Sequence, residues 1–281
     1  MTEKEHLTNS DDEGTISEKL NEASYDSEEI NIETDESDDV DKYEIQNRLK
    51  RQKKHLYSGT YRCNLDAVYK VMMTVKEKNI LSSEAKSYIN KTPFKNFFNM
   101  FLTNGIERQN IRKSASNLDQ LITSFSIKEK AFKIGNKLLK ITPEEVSLIF
   151  GMNLSGEDLF PIPTSNKATA MESFSEFLTT NFEENDIISQ KTVTRRLKKM
   201  IEEENGNEDL VKLLLLLLII TFFFPNNQNY MQWGFLSKLL NLKKLNSISW
   251  PRAICENVMK NVQKYYANPR STPGCTMVLL V

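Results

Sequence analysis

The chain has few of the residues on which most enzymes rely for acid–base and nucleophilic chemistry. It contains only two histidines, His6 and His55, and three cysteines, Cys63, Cys255 and Cys275. His6 lies in an acidic segment and His55 in a basic one, so neither is placed to act in a cleft as a general base or to activate a thiol. The cysteines are too far apart for a C-x-x-C zinc pair or a disulfide framework, and we interpret them as reduced thiols.

Glycine is scarce as well, which bears on phosphate binding. The nine glycines form neither a phosphate-binding loop of the G-x-x-x-x-G-K-[ST] type nor a G-x-G-x-x-G motif. The acidic runs at 183–184 and 202–204 stand near a basic cluster at 195–199, and we interpret all three as solvated helix faces rather than metal sites. The sequence therefore indicates no catalytic residue, no metal, no cofactor and no small-molecule substrate, and we expect a protein that is not an enzyme.

Long apolar runs are also missing. The longest, at residues 213–224, has twelve residues, whereas a helix that crosses a membrane needs about 20. Lys212 precedes this run and Pro225 ends it, so we predict a helix buried in the core. No secretory signal is visible after Met1, and no membrane association is expected.

The formal net charge of −1 conceals two segments of opposite sign. Residues 1–45 carry 17 acidic and three basic side chains, which leaves 21 acidic and 34 basic side chains for residues 46–281. The first segment has too little apolar surface to offset the entropy of folding, so it is predicted to be a disordered acidic tail. We interpret residues 46–60 as a basic linker and residues 61–281 as a single globular domain.

Five basic side chains are concentrated in the linker: Arg48, Lys50, Arg51, Lys53 and Lys54. Short strings of this kind serve as nuclear-import signals or contact nucleic acid, and a solvated linker with neither role is the alternative. Residues 46–140 as a whole hold 20 basic and six acidic side chains. We therefore expect a basic surface whose partner is nucleic acid or a nuclear protein, and a nuclear location with a cytoplasmic one as the alternative.

Hydrophobic spacing predicts that helices dominate the domain. Apolar residues recur at three- and four-residue steps over 68–75 and, as phenylalanines, over 94–101, and both stripes are predicted to face the core. Between them, Ser82 or Ser83 is expected to cap a short helix. Further helices are predicted at 115–125, 169–181, 190–204, 208–224, 230–241 and from Ser249 onward. The fold class is therefore mainly α, with one small β-hairpin.

The best-defined local structure is a β-hairpin that leads into a helix. Residues 131–134 and 137–140 flank Gly135-Asn136, a pair that suits a two-residue hairpin loop. Thr142 and Glu145 have the spacing of a capping box, with a proline between them at the first helical position. Gly151 is expected to end this helix in a left-handed conformation. The side chains predicted to face inward are Val146, Ile149 and Phe150.

The order of these elements resembles a known plant family. Residues 94–102, 118–125 and 132–135, followed by Thr142-Pro-Glu-Glu-Val146 and Gly151-Met152, are similar to the core of the aminotransferase-like plant mobile domain and of the related domain upstream of plant ubiquitin-like (SUMO) protease domains. Residues further along, over 214–258, are similar to the second block of that family. The family's usual Gly-Leu-Pro after the helix is Gly-Met-Asn here, which puts any function of that turn in doubt.

The resemblance implies a nuclear interaction module derived from a mobile element. No residue matches a cofactor lysine, and the protease's catalytic set would lie in a separate C-terminal domain, so no catalytic residue is carried over. The alternatives are the non-catalytic N-terminal part of a SUMO-protease-like hydrolase and a degenerate transposon fragment, the latter because the chain stops within an apolar run at 276–281. An in-frame protease domain beyond Val281 would favour the hydrolase.

Deleting residues 1–45 should tighten binding to DNA or RNA at low salt, because an acidic tail competes with phosphate for a basic surface. Anisotropy titrations of the full chain and of residues 46–281 with a labelled duplex would measure the difference. Equal affinities of the two chains would exclude the competition.

Overall fold

A computed structural model of the chain describes residues 60–111, 115–161, 167–226, 230–267, 271–272 and 274–280. Helices dominate these residues, as predicted: α1 Asp66–Glu77, α2 Ser83–Asn90, α3 Lys95–Leu102, α4 Ala115–Thr123, α5 Pro143–Phe150, α6 Lys167–Asn181, α7 Gln190–Glu202, α8 Glu208–Leu218, α9 Trp233–Leu239 and α10 Trp250–Ala267. Short 3₁₀ helices cover Arg108–Ile111, Leu242–Ser247 and Thr276–Leu280. The predicted acidic tail and nearly all of the linker lie outside the described residues.

Five short strands form two small sheets within this part of the chain. Strand β1 (Thr60–Tyr61) pairs in parallel with β5 (Ser271–Thr272). Strands β2 (Phe125–Ser126), β3 (Ala131–Ile134) and β4 (Lys137–Leu139) form an antiparallel sheet in that order. The β3–β4 hairpin confirms the sequence prediction.

Strand β2 differs from the prediction, which assigned residues 115–125 to one helix. The helix ends at Thr123, and Phe125 pairs with Phe132 in the sheet. Both phenylalanines are buried, and their ring centroids lie 5.2 Å apart. Because this contact joins residues that are seven positions apart on two strands, helical periodicity within 115–125 cannot reveal it.

Helix α8 lies in the hydrophobic core. From Leu210 to Leu218 every residue except Lys212 is buried. Asn207 caps the helix by accepting a hydrogen bond from the Leu210 amide at 3.2 Å. Helices α1, α2 and α7 pack against it, as a helix that is apolar all round requires. The predicted buried helix is confirmed, and none of the described helices is long and apolar enough to span a membrane.

The end of this apolar run is a π-helix, which the sequence does not predict. The α-helix stops at Leu218, and over Ile219–Phe223 the backbone widens so that the Phe224 amide bonds to the Ile219 carbonyl at 2.9 Å. The next residue, Pro225, has no amide hydrogen to offer to the Thr221 carbonyl. That carbonyl instead accepts a hydrogen bond from the Asn64 amide at 2.7 Å.

The phenylalanine stripe of α3 packs against this π-helix. The Phe97 ring centroid lies 5.3 Å from that of Phe222 and 5.7 Å from that of Phe223. Phe94 lies 4.9 Å from Trp250 at the start of α10, with the rings edge to face. Such pairs contribute about 0.5–1.5 kcal/mol each beyond the burial of their area. The prediction that the stripe faces the core is confirmed.

Helix α5 begins and ends as predicted. The Thr142 hydroxyl accepts a hydrogen bond from the Glu145 amide at 3.3 Å, and the Glu145 carboxylate accepts one from the Thr142 amide at 2.8 Å. Gly151 ends the helix with a φ of 61°, a conformation that favours glycine. A Cβ at this position would lie 2.6 Å from the Asn96 side chain. The predicted inward side chains are buried or half-buried: Val146, Ile149 and Phe150.

The helix predicted at 230–241 is shorter in the structure. Tyr230 forms an isolated antiparallel β-bridge with Ser189, so its extended backbone cannot begin a helix. Helix α9 starts at Trp233 and ends at Leu239, and the chain then continues as a 3₁₀ helix. The tertiary pairing therefore overrides the local helical pattern at this point.

A buried carboxyl group connects the start of the domain to helix α4. Asp119 is buried, and the Tyr61 hydroxyl of β1 donates a hydrogen bond to its Oδ1. Burial and the bond to Asp119 raise the pKa of Tyr61 well above its usual value. The hydrogen bond offsets the unfavourable free energy of burying a carboxyl group in the core.

Tyr61→Phe should lower the free energy of unfolding by about 1–3 kcal/mol, because it removes a donor from the buried Asp119. Urea denaturation followed by circular dichroism would measure this loss. Tyr69→Phe is the matched control, since the half-buried Tyr69 hydroxyl makes no hydrogen bond to another described residue. We expect the control to change stability by less than about 0.5 kcal/mol. Equal losses in the two variants would contradict the assigned role of Tyr61.

Candidate interaction surface

The predicted contact residues of the linker cannot be placed. Arg48, Lys50, Arg51, Lys53 and Lys54 all precede residue 60 and lie outside the described residues. The two histidines lie there too. The roles inferred for the linker in nuclear import or nucleic-acid contact therefore stay predictions.

All three cysteines are buried. Burial raises the pKa of the Cys255 thiol to about 11, and it raises the pKa of Cys275, which contacts Cys63, well above its usual value. Since the thiolate is the reactive form, a raised pKa and a buried position both disfavour nucleophilic chemistry at Cys255 and Cys275.

The basic cluster at 195–199 on α7 is only partly solvated. Arg195 is exposed and donates to Asp186 at 2.7 Å. Arg196 is half-buried, donates through Nε to the Asn181 side chain at 2.9 Å, and lies 3.6 Å from Glu203. The prediction of a solvated helix face is therefore wrong for Arg196, which would have to give up these partners before it could bind phosphate.

Exposed residues are concentrated instead on the β3–β4 hairpin, which also has an unpaired edge. Every residue from Lys133 to Lys140 is exposed. The sheet order places β4 at an edge, and no other described strand pairs with its outer side. The hairpin therefore projects beyond the core that buries its first residues, Ala131 and Phe132.

The register of the hairpin determines which side chains share a face. Phe132 lies opposite Leu139, and Ile134 lies opposite Lys137. Because side chains alternate along a strand, these four residues share one face. Phe132 is buried, but Ile134 and Leu139 are 45% and 49% exposed. Burial thus ends halfway along the hairpin although the apolar pattern continues.

An apolar groove of about 520 Å³ runs along this face. Its walls are the hairpin, helix α5 and the 3₁₀ helix Thr276–Leu280, and its apolar lining includes Leu121, Ile141, Leu148, Ile149 and Leu279. Leu148 is 83% exposed at its edge. Helical periodicity explains this position, because Leu148 points away from the buried Val146 on the same helix.

Five exposed lysines belong to the same stretch of chain as the hairpin residues that line the groove: Lys128, Lys130, Lys133, Lys137 and Lys140. None of them lies within 4.0 Å of a carboxylate in the described part of the protein, whereas Lys70, Lys199 and Lys212 do pair with neighbouring acids. Three glutamates, Glu129, Glu144 and Glu145, belong to the same stretch, and Glu145 is already engaged in the cap of α5. The surface therefore combines a surplus of positive charge with an apolar floor.

The clustering of apolar side chains distinguishes this surface from the rest of the described residues. Among the described residues, seven large apolar side chains are exposed, and five of them lie in the hairpin region and α5: Ile127, Ile134, Leu138, Leu139 and Leu148. Three of the five, Ile134, Leu139 and Leu148, line the groove, whereas Leu138 lies on the opposite face of the hairpin. Single exposed apolar residues are ordinary, but several that line one groove with a polar rim are typical of an interaction site. We call the five lysines, these five apolar residues and the groove the hairpin surface.

The sequence predicts the hairpin but not its exposure. One feature could have indicated it: Leu138 and Leu139 are consecutive in a strand, so they point to opposite faces and cannot both pack on the same core. Leu148 likewise falls between the predicted inward positions of α5. The periodicity of the sequence does not predict how far the core extends beneath the strands.

Leu148→Ser should change the free energy of unfolding by less than about 0.5 kcal/mol, because the side chain is already in water. Val146→Ala, two positions away and fully buried, should lower it by about 1–3 kcal/mol. Urea denaturation of both variants would test this contrast. A loss in Leu148→Ser as large as that in Val146→Ala would mean that Leu148 supports the fold, contrary to our assignment.

Comparison with protein-family models gives a match for this chain. Residues 61–280 match the model of a family described as a domain of unknown function, DUF8566. No curated protein matches the chain, and no solved structure matches it. The family model covers more than three quarters of the chain and includes all helices and strands described above apart from the first residue of β1. The chain therefore belongs to the DUF8566 family.

Proposed function

We propose that this protein is a non-enzymatic interaction module that binds an acidic segment of a partner protein on the hairpin surface. One observation carries the proposal: exposed apolar side chains, lysines without a described ion-pair partner and an unpaired strand edge coincide in a single stretch of chain. Each feature matches a different property of one kind of ligand, an extended peptide in which acidic and apolar residues alternate.

The unpaired edge of β4 favours an extended partner. A peptide that adds as a fourth strand gains backbone hydrogen bonds along that edge, and its side chains alternate between the two faces. On the groove side, the added strand would lie next to Leu139, with Ile134 one strand further in, and both need apolar partners. On the opposite side it would lie next to Leu138, and Lys133, which pairs with Leu138 on β3, attracts a carboxylate at longer range.

The apolar groove favours a protein partner over nucleic acid. Contacts to phosphate need lysine or arginine but make no use of leucine and isoleucine. Burial of apolar surface, in contrast, contributes about 25 cal/mol for each Å² removed from water. A partner that covers both the lysines and the groove therefore has acidic and apolar groups together.

The wider expectations from the sequence stay proposals. These are the mobile-element origin, the likeness to the plant mobile domain, the nuclear location, the contact of the linker with nucleic acid, and the alternatives of a SUMO-protease-like hydrolase part or a transposon fragment. An acidic partner on the hairpin surface is compatible with each of them, because the proposal rests on the described residues of the hairpin surface and on none of these expectations.

The test uses the full chain and a fluorescein-labelled ten-residue peptide that alternates glutamate with isoleucine or valine. Fluorescence anisotropy should detect binding, and a peptide with serine at the apolar positions should bind at least about tenfold more weakly. Added salt should weaken the complex without abolishing it, since screening acts on the ion pairs and not on the apolar contacts.

Variants of the hairpin surface make the test specific. Lys133→Glu with Lys137→Glu, and separately Leu148→Ser, should each weaken the peptide complex about tenfold. Lys198→Glu and Ile187→Ser are the matched controls, because both residues are exposed and lie outside the hairpin surface. Unchanged affinity in the hairpin variants would disprove the proposal. If a labelled DNA duplex bound, lost affinity with the lysine pair and kept it with Leu148→Ser, nucleic acid would replace the peptide as partner.

A further inference from the structure

A second cleft, of about 640 Å³, opens where the π-helix ends. Its lining comes from segments far apart in sequence, including Phe160, Ile219, Phe224, Tyr230, Phe235 and the last turns of α10. The volume is within the range of small-molecule sites, about 300–1,000 Å³. Turns of π-helix are rare and are frequently found at functional sites. The two walls of the cleft differ in chemistry.

One wall is aromatic and held in place by the core. The Phe224 ring lies 6.1 Å from Phe160 and 5.0 Å from Phe235. Behind them, Trp250 is fully buried and lies 6.3 Å from Phe224. Phe160 and Phe224 are half-buried, so part of each ring faces the cleft. This wall can hold a flat ring by stacking.

The opposite wall is a polar face of α10. Asn257, Lys260, Asn261 and Lys264 follow one another at spacings of three, one and three, which places them on the same side of the helix. Asn261 is 8% exposed, and its amide nitrogen donates to the Asn257 carbonyl at 2.8 Å and to its Oδ1 at 3.0 Å. No described residue forms a hydrogen bond with the Asn261 Oδ1 or with the Asn257 Nδ2, which leaves an acceptor oxygen and an amide donor group for a ligand.

Close packing holds these amides in place. Gly274 has a φ of 92°, and a Cβ at this position would lie 2.8 Å from the Asn257 Oδ1 and 3.0 Å from the Asn261 Nδ2. The Gly274 amide in turn donates to the Pro225 carbonyl at 3.1 Å. The segment around Gly274 therefore packs closely against Asn257 and Asn261, and this approach is possible because glycine has no Cβ.

Two lysines give the polar wall its charge. Lys260 and Lys264 are exposed, and neither has an ion-pair partner within the described residues. Among the described residues that line the cleft, Glu256 is the one acidic residue. The cleft therefore offers an aromatic face, amide groups that can bond to the edge of a ring, and two ammonium groups for an anion.

We propose that this cleft binds a nucleotide, with its base against Phe160 and Phe224 and its phosphate at Lys260 and Lys264. Aromatic stacking and lysine contacts together are the usual means of holding a base and its phosphate. The nucleotide can be a free mononucleotide or one unit of a single strand, and the chemistry at the site is the same. The proposal departs from the expectation of no small-molecule substrate, and it is independent of the hairpin surface.

Titration of the full chain with AMP, GMP, CMP and UMP, followed by calorimetry or ligand-observed NMR, tests the proposal. At least one nucleotide should bind, and the corresponding nucleoside, which lacks phosphate, should bind about tenfold more weakly. A ten-nucleotide single strand of DNA or RNA forms the second arm. Binding by the strand without binding by mononucleotides would identify a strand as the source of the ligand. Absence of binding in both arms up to about 1 mM would overturn the proposal.

Variants test the contributions of the polar wall and of the aromatic wall separately. Lys260→Gln with Lys264→Gln should weaken nucleotide binding at least tenfold, whereas Lys198→Gln on α7 should leave it unchanged. Phe160→Leu keeps an apolar side chain but removes the stacking face, and it should weaken binding several-fold with little change in the thermal unfolding curve. Full affinity in the lysine variant, or in Phe160→Leu, would overturn the assignment to a nucleotide. Leu148→Ser should bind nucleotides normally, which distinguishes this site from the hairpin surface.

Discussion

Helix α8 has apolar side chains around almost its whole circumference, and such a helix is stable only where protein encloses it on every side. Eight of its residues are buried, and each apolar side chain of this size contributes about 1.5–3 kcal/mol when it leaves water. Helices α1, α2 and α7 supply much of the enclosure. The arrangement of the domain thus follows from the need to surround one helix.

The same constraint explains where the cleft lies. The apolar run widens into a π-helix over Ile219–Phe223, and Pro225, which has no amide hydrogen, cannot extend it, so the helix ends there. Phe222 and Phe223 stay in the core beside the α3 stripe, whereas Phe224 turns towards the cleft. Ile219 and Ile220 also line the cleft, so the π-helix supplies residues to the core and to the cleft.

Helix α10 connects the two proposed sites. Its start, at Trp250, packs against Phe94 and Phe224 in the core. Cys255 donates to the Ile141 carbonyl at 3.3 Å, next to the hairpin groove, and the following turns line the cleft with amides and lysines. One rigid element thus supports both sites, which is favourable for precise placement of binding groups.

Local interactions made several features of this protein predictable from its residues. The capping box of α5, the left-handed Gly151 and the Gly135-Asn136 loop depend on contacts within a few positions, and the buried state of α8 follows from its composition. Tertiary structure decided the rest. Strand β2 exists because Phe125 meets Phe132, the exposure of Leu138 and Leu139 depends on where the core ends beneath them, and the cleft joins residues from 160 to 264. Such contacts between distant segments form only when the chain packs, so no local pattern in the sequence encodes them.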